Sequence, residues 1–500
     1  MTPRTTRVCV ILAAALLLPA AGQAQGYRLR LDAGVQSVRF RGYQLDSVAI
    51  SDVDTLPDGS LESSDGFAVD CGSAAAFCSF FRPGAEQSST PLVATADLTL
   101  WGLGIRGLSV RLNGRYGTDL SDDAEWPGTE PGLQLLEGFV EYAAAPTWGV
   151  RAGRQVQTGR LGYYGYDGGR VVVRAPSTGL EATGYLGLGL ARGALVPITS
   201  AAANPLGEYR PAESQLVAGA TASWITPVVE LNGEYQREVD RTSDYFTSER
   251  IALSGTLRPA ARVSLVGGSE YDIAQGFFGT TDVSVRYTTQ PWGAVAGWRR
   301  YRPHFDLWTI WGAFSPVPYN AGYASAFVNP IRGLQLRLRG ERYQFDDAEA
   351  ESPLVTIESE GWRASGGASY RLTPAWLMDL GYHKQFGPGA ASEGWDGAVT
   401  FTPTARVTLT AHGNSLDRPL EYRYDESRLV TLGLEGELAA SDNLRIALTA
   451  TRHDEDRERP DAASFEWDQL RLGARVVLLF SSGADRAALP PARVRRPAGR

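Results

Sequence analysis

The chain has 500 residues, 48 of them basic and 56 acidic, for a net charge of −8. An acidic balance with no concentrated basic face argues against nucleic acid as a partner, because binding it requires a basic surface. Hydrophobic residues make up 43% of the chain, yet no apolar run approaches the roughly 18 residues that a membrane-crossing helix needs.

At the N-terminus, Arg4 and Arg7 precede an unbroken apolar run over residues 8–18, then Pro19 and small residues up to Ala24. A basic start, an apolar centre and a small-x-Ala end predict a secretory signal peptide over residues 1–24. As a helix that run spans only about 17 Å, too short for an anchor. Cys9 lies inside the run rather than after it, which argues against a lipoprotein. A secreted chain with no long apolar helix is either a soluble protein or a β-barrel, the other fold that satisfies its backbone inside lipid.

Period-two alternation favours the barrel. Leu108, Val110 and Leu112 alternate with Ser109, Arg111, Asn113 and Arg115. Val229, Leu231 and Tyr235 alternate with Glu230, Asn232, Glu234 and Gln236. Leu334, Leu336 and Leu338 alternate with Gln335, Arg337, Arg339 and Glu341. Val430, Leu432, Leu434 and Leu438 oppose Thr431, Glu435 and Glu437, and Leu444, Ile446 and Leu448 oppose Arg445 and Thr449. Each is a strand with one apolar and one strongly polar face.

Pro, Gly, Asn and Ser mark short breaks at 106–107, 143–147, 176–179, 226–227, 258–261, 290–291, 330–333, 373–375, 402–405 and 440–443. Longer polar stretches lie between them, at 42–90, 119–131, 192–213, 240–247, 346–352 and 454–463. Short turns at one end and long loops at the other are the asymmetry of an outer-membrane barrel, with the turns in the periplasm. The expectation is an all-β fold: a closed, antiparallel, up-and-down transmembrane barrel over residues 25–480, with about 22 strands and a range of about 18 to 22.

Trp101, Tyr142, Trp148, Trp224, Trp292, Trp376 and Phe401 cluster beside the short turns and read as a periplasmic aromatic girdle against outer-membrane lipids. In the last strand Leu470, Leu472, Ala474, Val476 and Leu478 alternate with Arg471 and Arg475 and finish on Phe480. This ending resembles the C-terminal assembly signal of outer-membrane barrels, which implies the barrel assembly machinery as a partner. Residues 481–500, rich in Pro, Ala and Arg, read as a disordered periplasmic tail.

Cys71 and Cys78 fit a disulfide across a short loop in an oxidising compartment. With no further Cys or His nearby they make no metal site. The four histidines, at 304, 383, 412 and 453, have no ligand spacing. His383 and Asp379 share a strand face but have no nucleophile in register, so they read as wall chemistry. Gly102, Gly104 and Gly107 match the dinucleotide-binding spacing, but an alternating strand follows where a helix is required, so the segment is a hairpin turn. No enzyme, cofactor or metal is expected.

The polar strand faces carry Arg28, Arg30, Arg111, Arg115, Arg151, Arg286, Arg337, Arg339, Arg406, Arg445, Arg471 and Arg475. The carboxylates there are Asp32, Glu137, Glu141, Glu230, Glu234, Asp282, Glu341, Glu435 and Glu437. Such charges either pair across strands and stiffen a wet wall, or line a channel that passes hydrated anions by weak contacts. Strands beginning at Tyr27 leave no room for an N-terminal plug, which argues against a TonB-dependent transporter. The stapled stretch 42–90 is either a lid folded toward the lumen or a plain surface loop.

One stretch carries a family likeness. Leu136-Glu137-Gly138-Phe139-Val140-Glu141-Tyr142 leads to Gly153-Arg154-Gln155, then Gly159-Arg160, then Tyr166-Asp167-Gly168-Gly169-Arg170-Val171. This order resembles outer-membrane porins of the alginate-export, or exopolysaccharide-export, type. The resemblance implies a constriction lined by Arg151, Arg154, Arg160, Arg170 and Arg174, near Glu137 and Glu141, with Tyr163, Tyr164 and Tyr166 stacking on sugar rings. Alternation adds Arg299, Arg300, Arg302, Arg337, Arg339 and Arg342. The implied activity is passive passage of a secreted polysaccharide handed over by a periplasmic polysaccharide-export protein. A neutral or mildly charged polymer suits the acidic loops as well as an anionic one. The alternatives are a general or anion-preferring diffusion porin for small hydrophilic solutes, and a closed structural or adhesive barrel.

Overall fold

The computed structural model describes residues 26–56, 61–67, 69–71, 76–121, 132–190, 215–239, 246–302, 318–346, 359–387, 392–417, 426–458 and 467–482. The signal-peptide segment 1–24, His304 and the tail from residue 483 lie outside the described residues.

Strands β1 (Gly26–Ala49) and β2 (Phe77–Ser89 and Pro91–Trp101, interrupted at Thr90) form the first hairpin. There follow β3 (Leu108–Asp119), β4 (Gly132–Ala145), β5 (Trp148–Gly159), β6 (Gly162–Ala175), β7 (Leu180–Leu190) and β8 (Leu216–Ile225). Next come β9 (Val229–Val239), β10 (Phe246–Ala260), β11 (Val263–Asp272), β12 (Phe277–Thr288), β13 (Trp292–Tyr301), β14 (Tyr319–Ile331) and β15 (Leu334–Phe345). The last are β16 (Glu360–Thr373), β17 (Trp376–Phe386), β18 (Ser392–Thr404), β19 (Val407–Asp417), β20 (Glu426–Ser441), β21 (Leu444–Glu458) and β22 (Trp467–Ser481). Each strand pairs antiparallel with the next. β1 closes the ring on β22, from Arg28 opposite Ser481 to Val38 opposite Arg471. The 22 strands agree with the turn count in the sequence, and all ten short breaks fall at one end of the barrel.

The alternation explains the closure. On β15 Leu338 is 67% exposed to the surroundings while Glu341 on the opposite face is buried. Leu253, Leu432, Leu434 and Leu448 are likewise exposed. Each such leucine withholds about 2 kcal/mol of burial energy if it faces water, and recovers it against lipid chains. At the turn end, Tyr142 meets Trp148 edge-on and Trp376 stacks on Phe401 at 4.3 Å. At the loop end, Tyr382 lies 4.4 Å from Trp395, and Trp298 and Trp362 are exposed. Two aromatic rows therefore bracket the apolar belt.

The turns follow backbone chemistry. Gly102 and Gly107 open and close the β2–β3 turn at φ 67° and 83°, where a side chain is disfavoured.

Two loop expectations change. Most of 42–90 is strand: the outer half of β1 pairs with β2 from Val38 opposite Ser89 to Ala49 opposite Phe77, with a small Val53–Thr55/Leu61–Ser63 ribbon and the Cys71–Cys78 disulfide at its tip. β22 pairs with β1 only as far as Val38, so the hairpin projects past that neighbour. Likewise β21 runs to Glu458 and takes up the start of the 454–463 stretch. Cross-strand pairs Arg39–Glu86 and Arg82–Asp46 join the two strands of the first hairpin along its extension.

Candidate constriction site

The β5–β6 hairpin leaves the wall, and its sequence explains how. Trp148, Val150 and Ala152 alternate with inward Arg151 up to Gly153, which has φ 127°. Gly153 faces Gly168 on β6, and Gly168 faces Gly187 on β7. A Cβ on Gly153 or Gly168 would overlap the backbone of the adjoining strand, so only a glycine row allows this close bend. Beyond it the β4–β5 ladder stops, with Gly138 opposite Arg154 as its last pair. β3–β4 continues to Gly117 opposite Gly132, and β5–β6 to Gly159 opposite Gly162.

The freed tip crosses the lumen. The backbone N–H groups of Arg160 and Leu161 donate to the two Glu234 carboxylate oxygens on β9, at 2.8 and 3.2 Å. The Arg160 guanidinium donates to the carbonyls of Gly268 (3.0 Å) and Thr280 (2.9 Å) and to Asp282 (2.6 Å), with Glu270 at 3.8 Å. β6 and β12 stand six strands apart, about 30 Å of wall, so these bonds are possible only through the interior.

The hairpin's two faces differ. On one, Tyr164 and Tyr166 pack with Tyr185 and Val217 in a buried cluster, the Tyr166 and Tyr185 rings 5.3 Å apart. On the other, Thr158 and Tyr163 are exposed. Arg154 makes a bidentate bond to Asp167, both arms at 2.8 Å, and donates to the Leu135 carbonyl at 2.9 Å. That carbonyl lies on the β4 edge that β5 has left, so the guanidinium replaces a lost ladder partner.

The remaining expected site residues divide between lumen and rim. Arg151 pairs with Glu141 at 2.9 Å and lies over the Phe139 ring, and Arg174 pairs with Glu181 at 2.7 Å. Glu137 pairs with Arg111 at 3.2 Å, and Arg170 faces inward opposite Tyr185. Across the barrel, Arg299 (2.5 Å), Arg339 and Arg363 (both 3.6 Å) surround Glu341, and Arg337 lies 3.9 Å from Asp379. Arg299, Arg337 and Arg339, with Tyr323, His383 and Asp396, line a recess of about 920 Å³.

Five residues are displaced from their expected roles. Arg300 and Arg342 have the opposite parity to Arg299 and Glu341, and they bond Asp346 and Glu360 at the outer rim. Consecutive residues of one strand cannot both face inward. Tyr164 and Tyr166 are packed away and offer no free ring face for a sugar. Arg302 lies just past the end of β13, over the Phe277 ring at 3.5 Å. The sequence reading placed Glu234 and Asp282 only among the wall charges, quoted Gly153 and Gly168 only as part of the motif, and did not single out Glu270 or Gly187. The clue to them is the two-residue outer connection, Arg160-Leu161, far shorter than the polar stretches expected at that end.

No protein-family model matches the chain, and no curated protein matches it. Among solved structures it is similar to a copper transporter, OprC, at 14% identity and TM-score 0.49, covering 92% of this chain and 81% of that one. It is also similar to OccAB4 of Acinetobacter baumannii, at 8% identity and TM-score 0.41, covering 92% and 99%. A third is the outer membrane protein OprD of Pseudomonas aeruginosa, at 10% identity and TM-score 0.40, covering 93% and 96%. The closed wall, its outward apolar rows and its paired aromatic girdles make this chain an integral outer-membrane barrel of 22 strands.

Proposed function

We propose that the protein is a passive diffusion channel for small hydrophilic solutes, with a preference for anions. One observation carries this reading: the Arg160 hairpin crosses the lumen, and the facing wall gathers Arg299, Arg337, Arg339 and Arg363 around the carboxylates of Glu341 and Asp379. An unobstructed barrel of 22 strands would be wider than a porin. A hairpin fixed across it narrows the path, and a wall with more guanidinium than carboxylate attracts anions by contacts weak enough to release them.

Export of a polysaccharide rests on the Glu-x-x-x-Glu-Tyr…Gly-Arg-Gln order alone. The tyrosine platform implied by that resemblance is reduced to Tyr163, because Tyr164 and Tyr166 are buried. The exporter would also need a periplasmic partner to drive direction.

Planar-bilayer recording tests the channel. The purified barrel is expected to conduct with an anion-selective reversal potential, and the double variant Arg337→Glu/Arg339→Glu is expected to move that potential toward cation selectivity. A barrel that conducts no current supports the closed structural reading. A deletion strain that loses exopolysaccharide yet takes up solutes normally supports export.

A further inference from the structure

The bend of the β5–β6 hairpin leaves a hole in the wall. Among the described residues, 132–137 of β4 pair only with β3, and 155–159 of β5 pair only with β6. These residues span about 20 Å of strand, bridged at one point where the Arg154 guanidinium donates to the Leu135 carbonyl. The lower corner of this gap, Arg154, lies six residues above Trp148 of the inner girdle. At 35–45° tilt this is about 15 Å up an apolar band about 25 Å tall, so the gap opens in the outer half of the membrane.

The rim has two characters. On the lipid side Leu133 and Leu135 point outward, 68% and 44% exposed. On the lumen side Arg115 stands inward on β3, opposite Gln134. Among the described residues Arg115 makes no ion pair. The side-chain amide oxygens of Gln134 and Gln157, one on each strand beside the gap, are buried without a donor. The hairpin behind the gap offers exposed Thr158 and Tyr163. Backbone edges are not left bare against hydrocarbon; the two buried amide oxygens call for a hydrogen-bond donor, and a cation with no ion pair among the described residues calls for an acidic group.

We propose that this gap is a lateral port between the lumen and the outer leaflet, and that it takes a single-chain amphiphile with an acidic head. The chain lies between Leu133 and Leu135 and the bilayer, and the head reaches Arg115. This goes beyond diffusion of hydrophilic solutes along the pore axis, and it does not depend on the charge selectivity of that path.

The test uses the full barrel in phosphatidylcholine liposomes with dodecanoate carrying a mid-chain diazirine, photolysed and mapped by peptide mass spectrometry. Adducts are expected on the hairpin segment containing Thr158 and Tyr163 as well as on belt strands such as β15. Leu135→Trp, or Leu133→Trp should the first fail to assemble, fills the gap and removes the hairpin adducts while β15 labelling stays. Arg115→Gln is expected to lower hairpin labelling by about tenfold, as for a lost charge-assisted bond, and to leave labelling by the matching diazirine alcohol unchanged. Absence of hairpin adducts, or hairpin adducts that survive the tryptophan variants, overturns the port. An equal response of acid and alcohol to Arg115→Gln overturns the choice of head group. Failure of the channel reading would instead appear as absent or unselective current.

Discussion

Replacing Arg160 with Ala removes the far end of the hairpin's attachment and leaves its near end in place. The side chain makes one charge-assisted bond to Asp282 and two bonds to main-chain carbonyls. It is 17% exposed, so solvent screens the ion pair only in part. A charge-assisted bond contributes about 1.5–3 kcal/mol and a neutral one about 0.5–1.5. The bonds from the Arg160 and Leu161 N–H groups to Glu234 survive the substitution, and so does the Tyr166–Tyr185 packing. A loss of about 3 kcal/mol from the docked state raises the undocked fraction roughly 150-fold. Single-channel recording reads this directly as new, larger conductance levels and added open-channel noise, with no loss of the folded band on an unheated gel. Arg160→Lys should fall between the two, because an ammonium keeps a charge for Asp282 but lacks the second nitrogen, Nε, that faces Glu270. If Arg160→Ala conducts with the same amplitude and noise as the parent, the hairpin is not held by this residue, and the reasoning about the constriction fails.

Gly168→Val puts a branched side chain where a Cβ already overlaps the β7 backbone, so it should prevent the inward bend and give either a wide, noisy pore or an assembly failure, told apart by conductance and heat-shift gels. Glu341→Gln removes the charge at the centre of three guanidinium groups; the reversal potential should move further toward anion selectivity and thermal stability should fall by a few kcal/mol, the cost of unbalanced buried charge. Reduction of the Cys71–Cys78 bond acts on the projecting hairpin alone, so conductance should not change, and a changed current would place that hairpin over the pore mouth.

The fold was legible because period-two alternation is a local property. Arg337, Leu338 and Arg339 reveal their faces without knowledge of any other strand, and the turns are written in Pro and Gly. The constriction was only half legible. Gly153-Arg154-Gln155 and Gly159-Arg160 attract attention as a motif, but the partners of Arg160 lie 74 to 122 residues away. No local pattern links Arg160 to Glu234 or Asp282. The alignment of Gly153, Gly168 and Gly187 is a matter of register across three strands, which pairing decides and composition does not. Arg300 and Arg342 were misplaced for a simpler reason: a run of arginines was read as one group, although adjacent residues on a strand face opposite ways.

Thiol labelling of two single-cysteine variants in liposomes tests the central division of faces. Arg339→Cys should react with a charged, water-soluble thiosulfonate, and Leu338→Cys only with a lipid-soluble maleimide. Equal reaction of both positions with the water-soluble reagent, or the reverse pattern, would contradict a wall that turns leucine to lipid and arginine to a wet lumen.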